Sequence, residues 1–373
     1  MRLPLKVATA IRARKLLAPG ASVLIGLSGG PDSVALFHCL LELSQKRDLH
    51  FTLAAAHLNH RIRGKSAGRD LEFCRRLCVR FEVKLYEAQC ETKELAAHLR
   101  RSLEETARLA RRAFLTQAAR ACACTAVAVA HHADDRIETV LYRLCRGTGL
   151  SGLEGIGWSG PLELTDAPSV ASWVTWPAGV PPAAAHTNCD PAVVRPLLGI
   201  TREEILAYLR SKRQRYCTDE TNFDTRIPRN AVRRLVLPVL EKKVHPGARA
   251  ALWRLAEEAE LHAERRAWRR GWLQGIAALN MRGYLALPVS RGATLPTLEE
   301  LSEILGLLRV VWNLAHSEVG SKQLHNLRTL FGPSGAKREV PLPGRLIAER
   351  DGPEVRIRRA AEEAQPQHLF AKS

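Results

Sequence analysis

Three short stretches carry residue types that can do chemistry together. The first is Ser28-Gly29-Gly30-Pro31-Asp32-Ser33, which ends an apolar run, Val23 to Leu27, and opens a helix-compatible run, Val34 to Leu43. A strand, a tight loop and a helix in that order leave the backbone N–H groups of Ser28, Gly29 and Gly30 unobstructed. Pro31 pre-sets φ for a first helical turn. The positive end of the helix dipole, helped by the hydroxyls of Ser28 and Ser33, then makes a site for an anion. Asp32 cannot favour a phosphate directly; it makes sense with Mg²⁺ between the two, or as a cap on the loop. A Walker loop would need Lys where Asp32 stands. A dinucleotide loop would need a third glycine where Ser33 stands.

The second stretch is His57-Leu58-Asn59-His60-Arg61-Ile62-Arg63, where an apolar run turns basic. His57 and Asn59 can read an adenine or a ribose, and arginines such as Arg63 can hold phosphate. The third is His131-His132-Ala133-Asp134-Asp135-Arg136-Ile137-Glu138. If a helix begins near Asp134, then Asp134 and Glu138 share a face at i, i+4 and can hold Mg²⁺ or an ammonium group. Arg143 and Arg146, followed by Gly147-Thr148-Gly149, make a basic exit close by. Glu104, Arg108 and Arg111 share a face of another helix; alone they read as a solvated, ion-paired surface.

These stretches need a scaffold that brings them together. Apolar runs at Val23–Leu27, Phe51–Ala56, Val83–Ala88 and Thr125–Ala130 alternate with helical patterns at Leu71–Val79, Leu95–Ala121 and Asp135–Arg146. That alternation implies an α/β fold with a doubly wound parallel sheet, Rossmann-like, covered on both faces. Ligands then bind at the carboxyl ends of the strands, and each polar cluster follows an apolar run directly, so all three can face one crevice. Residues 159–192, rich in Pro, Ala and Ser, read as an inserted loop, mobile or partly hairpin. Thr201-Arg202-Glu203-Glu204 is a capping box opening a helix to Leu209. Asp219 to Arg234 mixes turn residues with arginines, and Pro238 and Pro246 punctuate a linker. Helical patterns at Ala250–Leu273, Leu298–Leu308 and Ser321–Leu330, then short strands around Gly344 and Gly352, suggest a smaller C-terminal α+β domain. The expected division is 1–222 as the catalytic domain, 223–246 as a linker and 247–373 as the second domain.

The chain has 373 residues, 46% of them hydrophobic, so it can bury sizeable cores, and its 5% aromatic content makes those cores aliphatic. A net charge of +18 points to a polyanionic partner, most simply nucleic acid. Nine cysteines without a Cys-x-x-Cys pair read as reduced thiols rather than a metal site. With no signal-peptide pattern at the start and no apolar run long enough to span a bilayer, a cytoplasmic protein without a membrane partner is expected.

The Ser-Gly-Gly-Pro-Asp-Ser loop resembles that of the N-type ATP pyrophosphatases, the PP-loop superfamily. Taken with His57-Leu58-Asn59-His60-Arg61, Leu103 to Arg111, His131 to Gly149, Arg195-Pro196-Leu197-Leu198, Asp219-Glu220-Thr221-Asn222 and Arg229-Asn230, the order of motifs is similar to that of the tRNA(Ile)-lysidine synthases. The similarity covers roughly Val23 to Leu240. Arg136 stands where that family usually has Gln, and Arg112 where it often has Tyr.

The resemblance implies an enzyme that uses ATP to adenylate C2 of the wobble cytidine in the CAU anticodon of tRNA(Ile). Free L-lysine then attacks through its ε-amine, giving lysidine, AMP and pyrophosphate, and codon reading changes from AUG to AUA. It implies ATP held by Ser28, Gly29, Gly30, Pro31, Asp32, Ser33, His57 and Asn59, with Mg²⁺ near Asp32. Asp32, Asp134, Asp135 and Glu138 would be catalytic, with Asp134 and Glu138 on the lysine ammonium and Asp134 or Asp135 taking its proton. Arg63, Arg108, Arg111, Arg143 and Arg195 would hold RNA, aided by a C-terminal tRNA-binding domain; a homodimer is left open. A thiolase on the same fold would be expected to carry paired cysteines, an amide-forming enzyme would not need the positive charge, and a non-catalytic RNA-binding protein would not need the four carboxylates.

Overall fold

The structure, a computed structural model, describes residues 2–46, 48–62, 65–149, 152–162, 170–177, 191–218, 228–282, 284–289, 295–312, 321–332 and 339–360. The chain divides into two compact units, Met1–Glu260 and Leu261–Ser373.

In the first unit, helix α1 (Leu3–Ala13) leads to β1 (Ser22–Gly26), α2 (Pro31–Ser44), β2 (Thr52–Asn59), α3 (Lys65–Arg80) and β3 (Lys84–Cys90). Then come α4 (Thr92–Leu99), α5 (Leu103–Ala121), β4 (Ala126–Ala128) and α6 (Ala133–Cys145). Short strands β5 (Ser159–Pro161), β6 (Val174–Thr175) and β7 (Ala192–Val194) follow, then α7 (Arg202–Ser211). The sheet order is β5-β7-β4-β1-β2-β3-β6. Strands β7, β4, β1, β2 and β3 run parallel, and β5 and β6 add antiparallel edges. The expected doubly wound parallel sheet is therefore present.

Alternation along β1 sorts the core. Val23 and Ile25 pack with Val7, Ile11, Leu36, Leu40, Cys74 and Leu209 on one face. Leu24 packs with Phe114, Ala110, Ala113 and Leu95 on the other. A strand buried on both faces must be apolar throughout, which is why β1 reads as a continuous run. Its neighbours β4 and β2 lie on opposite sides, so the chain reverses its winding direction between β1 and β4. That reversal opens a crevice at the carboxyl ends of β1 and β4.

Three local expectations change. The Leu95–Ala121 helix is two helices: Arg100 takes a left-handed φ of 52°, and the Ser102 hydroxyl restarts the chain by accepting from the Glu105 N–H at 3.2 Å. The 159–192 segment supplies sheet edges, with β5 on β7 and β6 on β3, while 163–169 and 178–190 lie outside the described residues. Residues 228–244, read as turns and linker, form a helix, α8, with π-helical turns at Val232–Val236 and Leu240–Val244. Pro238 lacks an N–H and crowds the turn before it; a wider π turn accommodates this without ending the helix. Val232 and Leu237 of α8 bury against Ile137 and Leu141 of α6. Helix α9 (Ala248–Arg282) adds Ala256 and Ala259, packed with Val140. Residues 228–260 thus belong to the first unit.

In the second unit, β8 (Tyr284–Pro288), β11 (Glu354–Arg359), β10 (Leu346–Asp351) and β9 (Glu339–Leu342) form an antiparallel sheet in that order. Its core joins Leu285, Leu287 and Ile357 to Leu301, Ile304 and Leu308 of α10 (Leu298–Val311) and Leu327 of α11 (Ser321–Thr329). Gly352, with φ of 55°, turns β10 into β11. Among the described residues, no helix is long and apolar enough to cross a membrane.

Candidate active site

The loop after β1 is built by its own polar atoms. Gly30 is extended and stands before α2, with Pro31 in the first helical turn. The Ser33 hydroxyl donates to the Gly30 carbonyl at 3.0 Å and accepts from the Ser28 N–H at 3.2 Å; the Ser28 and Ser33 hydroxyls are 3.1 Å apart. Gly29 has φ of 87°, and a Cβ there would lie 3.4 Å from both the Cys74 and Cys217 sulfurs. Only glycine meets that conformation without strain. His57 is buried, and its Nδ1–H donates to the Leu27 carbonyl at 2.8 Å, tying β2 to the loop; burial pushes its pKa down. The Asn59 side-chain oxygen accepts from the Arg61 N–H at 2.9 Å, so it shapes the turn after β2.

The second half comes from β4 and α6. His132 precedes α6, and its N–H donates to the Asp135 carboxylate at 3.0 Å. Its ring lies 3.7 Å from Asp32, 3.5 Å from Asp134 and 3.6 Å from Asp135. One buried imidazole therefore joins the phosphate-type loop to the carboxylates across the crevice. Burial alone would lower its pKa, but Asp134, Asp135 and Asp32 outweigh burial and raise it. Burial raises the Asp32 carboxyl, with partial compensation from His132 and Arg202, and its Oδ1 is buried without a hydrogen-bond partner. Desolvation works against Asp134 and Asp135 too, yet both are held below the usual carboxylate value. The His132 ring 3.5 Å away and the hydrogen bond from the Arg202 backbone N–H do this for Asp134; the charges of His132 and Arg229 do it for Asp135. His131 is pushed by burial down to about 4.

Four arginines from later in the chain balance these carboxylates. Arg202 lies 3.5 Å from Asp32 and gives its backbone N–H to Asp134 at 2.9 Å. Arg249 of α9 reaches Asp134 at 2.5 Å. Arg229 of α8 bonds Asp135 at 2.9 Å and Glu138 at 3.2 Å. Arg233 bonds Glu138 at 2.5 and 3.0 Å and Asp135 at 3.2 Å. Glu138 is fully enclosed, with 0% of its side chain exposed. The sequence reading assigned no site role to these arginines; the four-residue spacing of Arg229 and Arg233, one helical turn, is the signal that could have found them.

The structure thus brings Asp32, Asp134, Asp135 and His132 together. Asp135 and Glu138 share the two arginines of α8, whereas Asp134 is held by other partners. Arg136 points elsewhere: it is fully buried and bonds Glu260 at 2.9 Å and the carbonyls of Ala256 and Glu154 at 3.1 and 3.2 Å. Arg111 is exposed to solvent, while desolvation by the protein around it lowers its pKa; its charge acts on both His57 and His131. Arg108 is exposed. Desolvation, with the charges of Arg108 and Arg112, lowers the pKa of Arg195, which bonds the Gly157 carbonyl at 2.9 Å. Arg143 is exposed while donating to the Gly152 and Gly155 carbonyls at 3.1 and 3.0 Å. Arg63 and the Asp219–Asn222 motif lie outside the described residues. Among the described residues, no group of three or more His, Cys, Asp or Glu could hold a metal by itself.

Comparison with known proteins bears on this geometry. A family described as the PP-loop domain matches residues 5–240. The chain is similar to the tRNA(Ile)-lysidine synthase of Porphyromonas gingivalis, 39% identical over 256 residues, covering 68% of this chain and 48% of the relative. It is similar to the enzyme of that name from Chlorobaculum tepidum, 35% identical over 246 residues, covering 66% of this chain and 65% of the relative. The chain therefore spans about half to just under two thirds of the length of these relatives. Among solved structures, the U34-tRNA thiolase NcsA from Methanococcus maripaludis shares the fold, with a TM-score of 0.50 and 18% identity over 68% of this chain and 78% of that one.

Proposed function

We propose that this chain, which belongs to the PP-loop domain family, is an ATP-dependent ligase that joins lysine to C2 of the wobble cytidine in the CAU anticodon of tRNA(Ile). ATP adenylates the base, the lysine ε-amine displaces AMP, and lysidine then reads AUA in place of AUG. The observation that carries this reading is His132, which holds Asp32 of the phosphate-type loop and Asp135 of α6 within 3.7 Å of one ring. Phosphate and amine chemistry can then share one crevice. The name shared by the P. gingivalis and C. tepidum relatives supports the choice of substrate.

Each residue has a task that its surroundings suit. The Gly29 N–H and the hydroxyls of Ser28 and Ser33 would meet the pyrophosphate at the start of α2, where the helix dipole favours negative charge; the Ser28 and Gly30 N–H groups hold the loop in shape through those hydroxyls. The buried, unpartnered Oδ1 of Asp32 fits one ligand position for Mg²⁺, whose other ligands would be phosphate and water oxygens. When bound there, Mg²⁺ would spread the charge that develops as the α–β phosphate bond breaks. Asp134 and Asp135 stay ionised, the form a proton acceptor needs, and because their partners make them weak bases either would pass the amine's proton on to solvent rather than keep it. Glu138, with Asp135 or Asp134, would draw the amine in as a cation. Arg108, Arg111, Arg143 and Arg195 would hold RNA phosphates at the mouth, and the second unit would hold the rest of the tRNA. The wobble base must leave its stack to reach the crevice.

Incubation with labelled lysine, ATP and total tRNA tests this. We expect label in one tRNA, at the wobble base, with one pyrophosphate released per lysine incorporated. Label in protein or in the tRNA acceptor end, or pyrophosphate release independent of tRNA, would refute the reading.

A further inference from the structure

We propose that Arg229 and Arg233 occupy the amine site of the free protein, and that RNA phosphate draws them off, so that the amine enters only after the RNA has docked. The inference rests on the functional reading above for the identity of amine and RNA. It begins from an arrangement that this reading does not require: the carboxylate expected to meet the amine, Glu138, is 0% exposed and is gripped by two guanidiniums. Both Glu138 oxygens and Asp135 Oδ1 accept from Arg229 or Arg233, and Asp135 Oδ2 accepts from the His132 backbone. A cation position between two carboxylates exists, and it is filled.

Charge counting shows why one occupant must leave. Asp32, Asp134, Asp135 and Glu138 carry four negative charges, and Arg202, Arg249, Arg229 and Arg233 four positive ones, before the His132 ring beside them is counted. An added ammonium would leave a buried net charge, which a low-dielectric site resists. Free lysine also competes poorly with groups on the same chain, whose effective concentration is of millimolar order. A planar guanidinium fork grips two carboxylates in a way that an ammonium point charge does not.

The arginines are nevertheless reachable from outside. Their side chains are 36% and 25% exposed, while the carboxylates beneath them are 13% and 0% exposed. Phosphate is the ligand that competes with carboxylate for an arginine fork, and a chain of charge +18 that binds RNA would meet it in quantity. Once an arginine turns to phosphate, Asp135 and Glu138 are left with unbalanced negative charge, and an amine that enters as a cation restores the balance. The same device would bar lysine from the crevice while no RNA is there to receive it.

Equilibrium dialysis of labelled L-lysine against the full chain tests the proposal, with and without tRNA and a non-hydrolysable ATP analogue. For the unaltered protein we expect RNA to tighten lysine binding by about tenfold or more, within the usual range of coupling between sites. Arg233→Gln should bind lysine without RNA nearly as well as the unaltered protein does with it. Arg233→Lys, which keeps a cation on the carboxylates, should retain most of the RNA dependence, and Arg229→Gln serves if Arg233→Gln melts early. RNA-independent lysine binding by the unaltered protein overturns the gate. So does an Arg233→Gln variant that weakens lysine binding and leaves the RNA effect intact, since Arg233 would then only hold the carboxylates in position. Transfer of label from lysine to tRNA is measured alongside. Transfer with RNA-independent lysine binding refutes the gate alone; no lysine binding and no transfer refutes the functional reading and the gate with it.

Discussion

Replacing Arg136 by Gln, the residue usual at this position in the family that the motifs resemble, should damage stability far more than substrate binding. Arg136 is fully buried, and Glu260, its ion-pair partner at 2.9 Å, keeps 17% of its side chain exposed. The guanidinium also bonds the Ala256 and Glu154 carbonyls and lies 5.0 Å from the centre of the Trp253 ring. Gln can replace at most one or two of these bonds and leaves Glu260 without its counter-charge. Removing one partner of a buried pair costs about 3–5 kcal/mol, and the partial exposure of Glu260 argues for the lower end, about 3 kcal/mol. For a unit of this size that is a fall in melting temperature of roughly 6–12 °C. Calorimetry of the full chain, following the transition of the first unit, reads it directly. Glu260→Gln in the same chain should recover part of the loss, with a coupling of about 1–3 kcal/mol between the two positions. Arg136 lies two residues from both Asp134 and Glu138, hence on another face of α6. The KM for lysine should therefore stay within about twofold, well under the tenfold that 1.4 kcal/mol of lost binding would produce. A fall of less than about 2 °C, or strictly additive losses, would refute the view that this pair ties α6 to α9.

Further outcomes follow from the same geometry. Asp32→Ala should abolish pyrophosphate release at saturating Mg²⁺ while leaving the melting temperature unchanged or higher, because a carboxyl whose pKa burial has raised is removed; full turnover would refute its role. The His132 pKa is raised from 6.5, so the protonated ring stabilises the fold fully below that value, and the stabilisation is lost as pH rises through the folded pKa. Melting curves between pH 5 and 9 should show that loss, and His132→Gln should remove it. RNA binding should weaken with salt at a slope of about −0.7 to −0.9 in log K per phosphate contact, measured by filter binding; a flat response would mean that the positive charge is no RNA footprint. A chain ending at Leu240 should fail to melt cooperatively, because it lacks Arg249, Trp253 and Glu260, whereas one ending at Glu260 should melt as a unit and keep ATP binding, at a much higher KM for tRNA.

What the sequence determined by itself is local. Val23–Leu27 had to be a doubly buried strand because no polar side chain interrupts it. Ser28–Ser33 had to be a tight strand-to-helix loop because its glycines, proline and hydroxyls act within six residues of one another. Thr201 and Glu204 cap α7 because a capping box closes within one turn. Tertiary structure decided what depends on partners far along the chain. Pro238 reads as a stop, yet α8 continues through π turns because Val232 and Leu237 gain burial against α6. Asp134 and Glu138 read as one carboxylate pair on one face. In the fold Asp134 belongs with Arg249, and Glu138 with Arg229 and Arg233, residues 91 to 115 positions away. Helical periodicity says which side chains share a face; which charge arrives opposite them is fixed by packing, since a buried carboxylate takes the cation that the rest of the chain delivers to it.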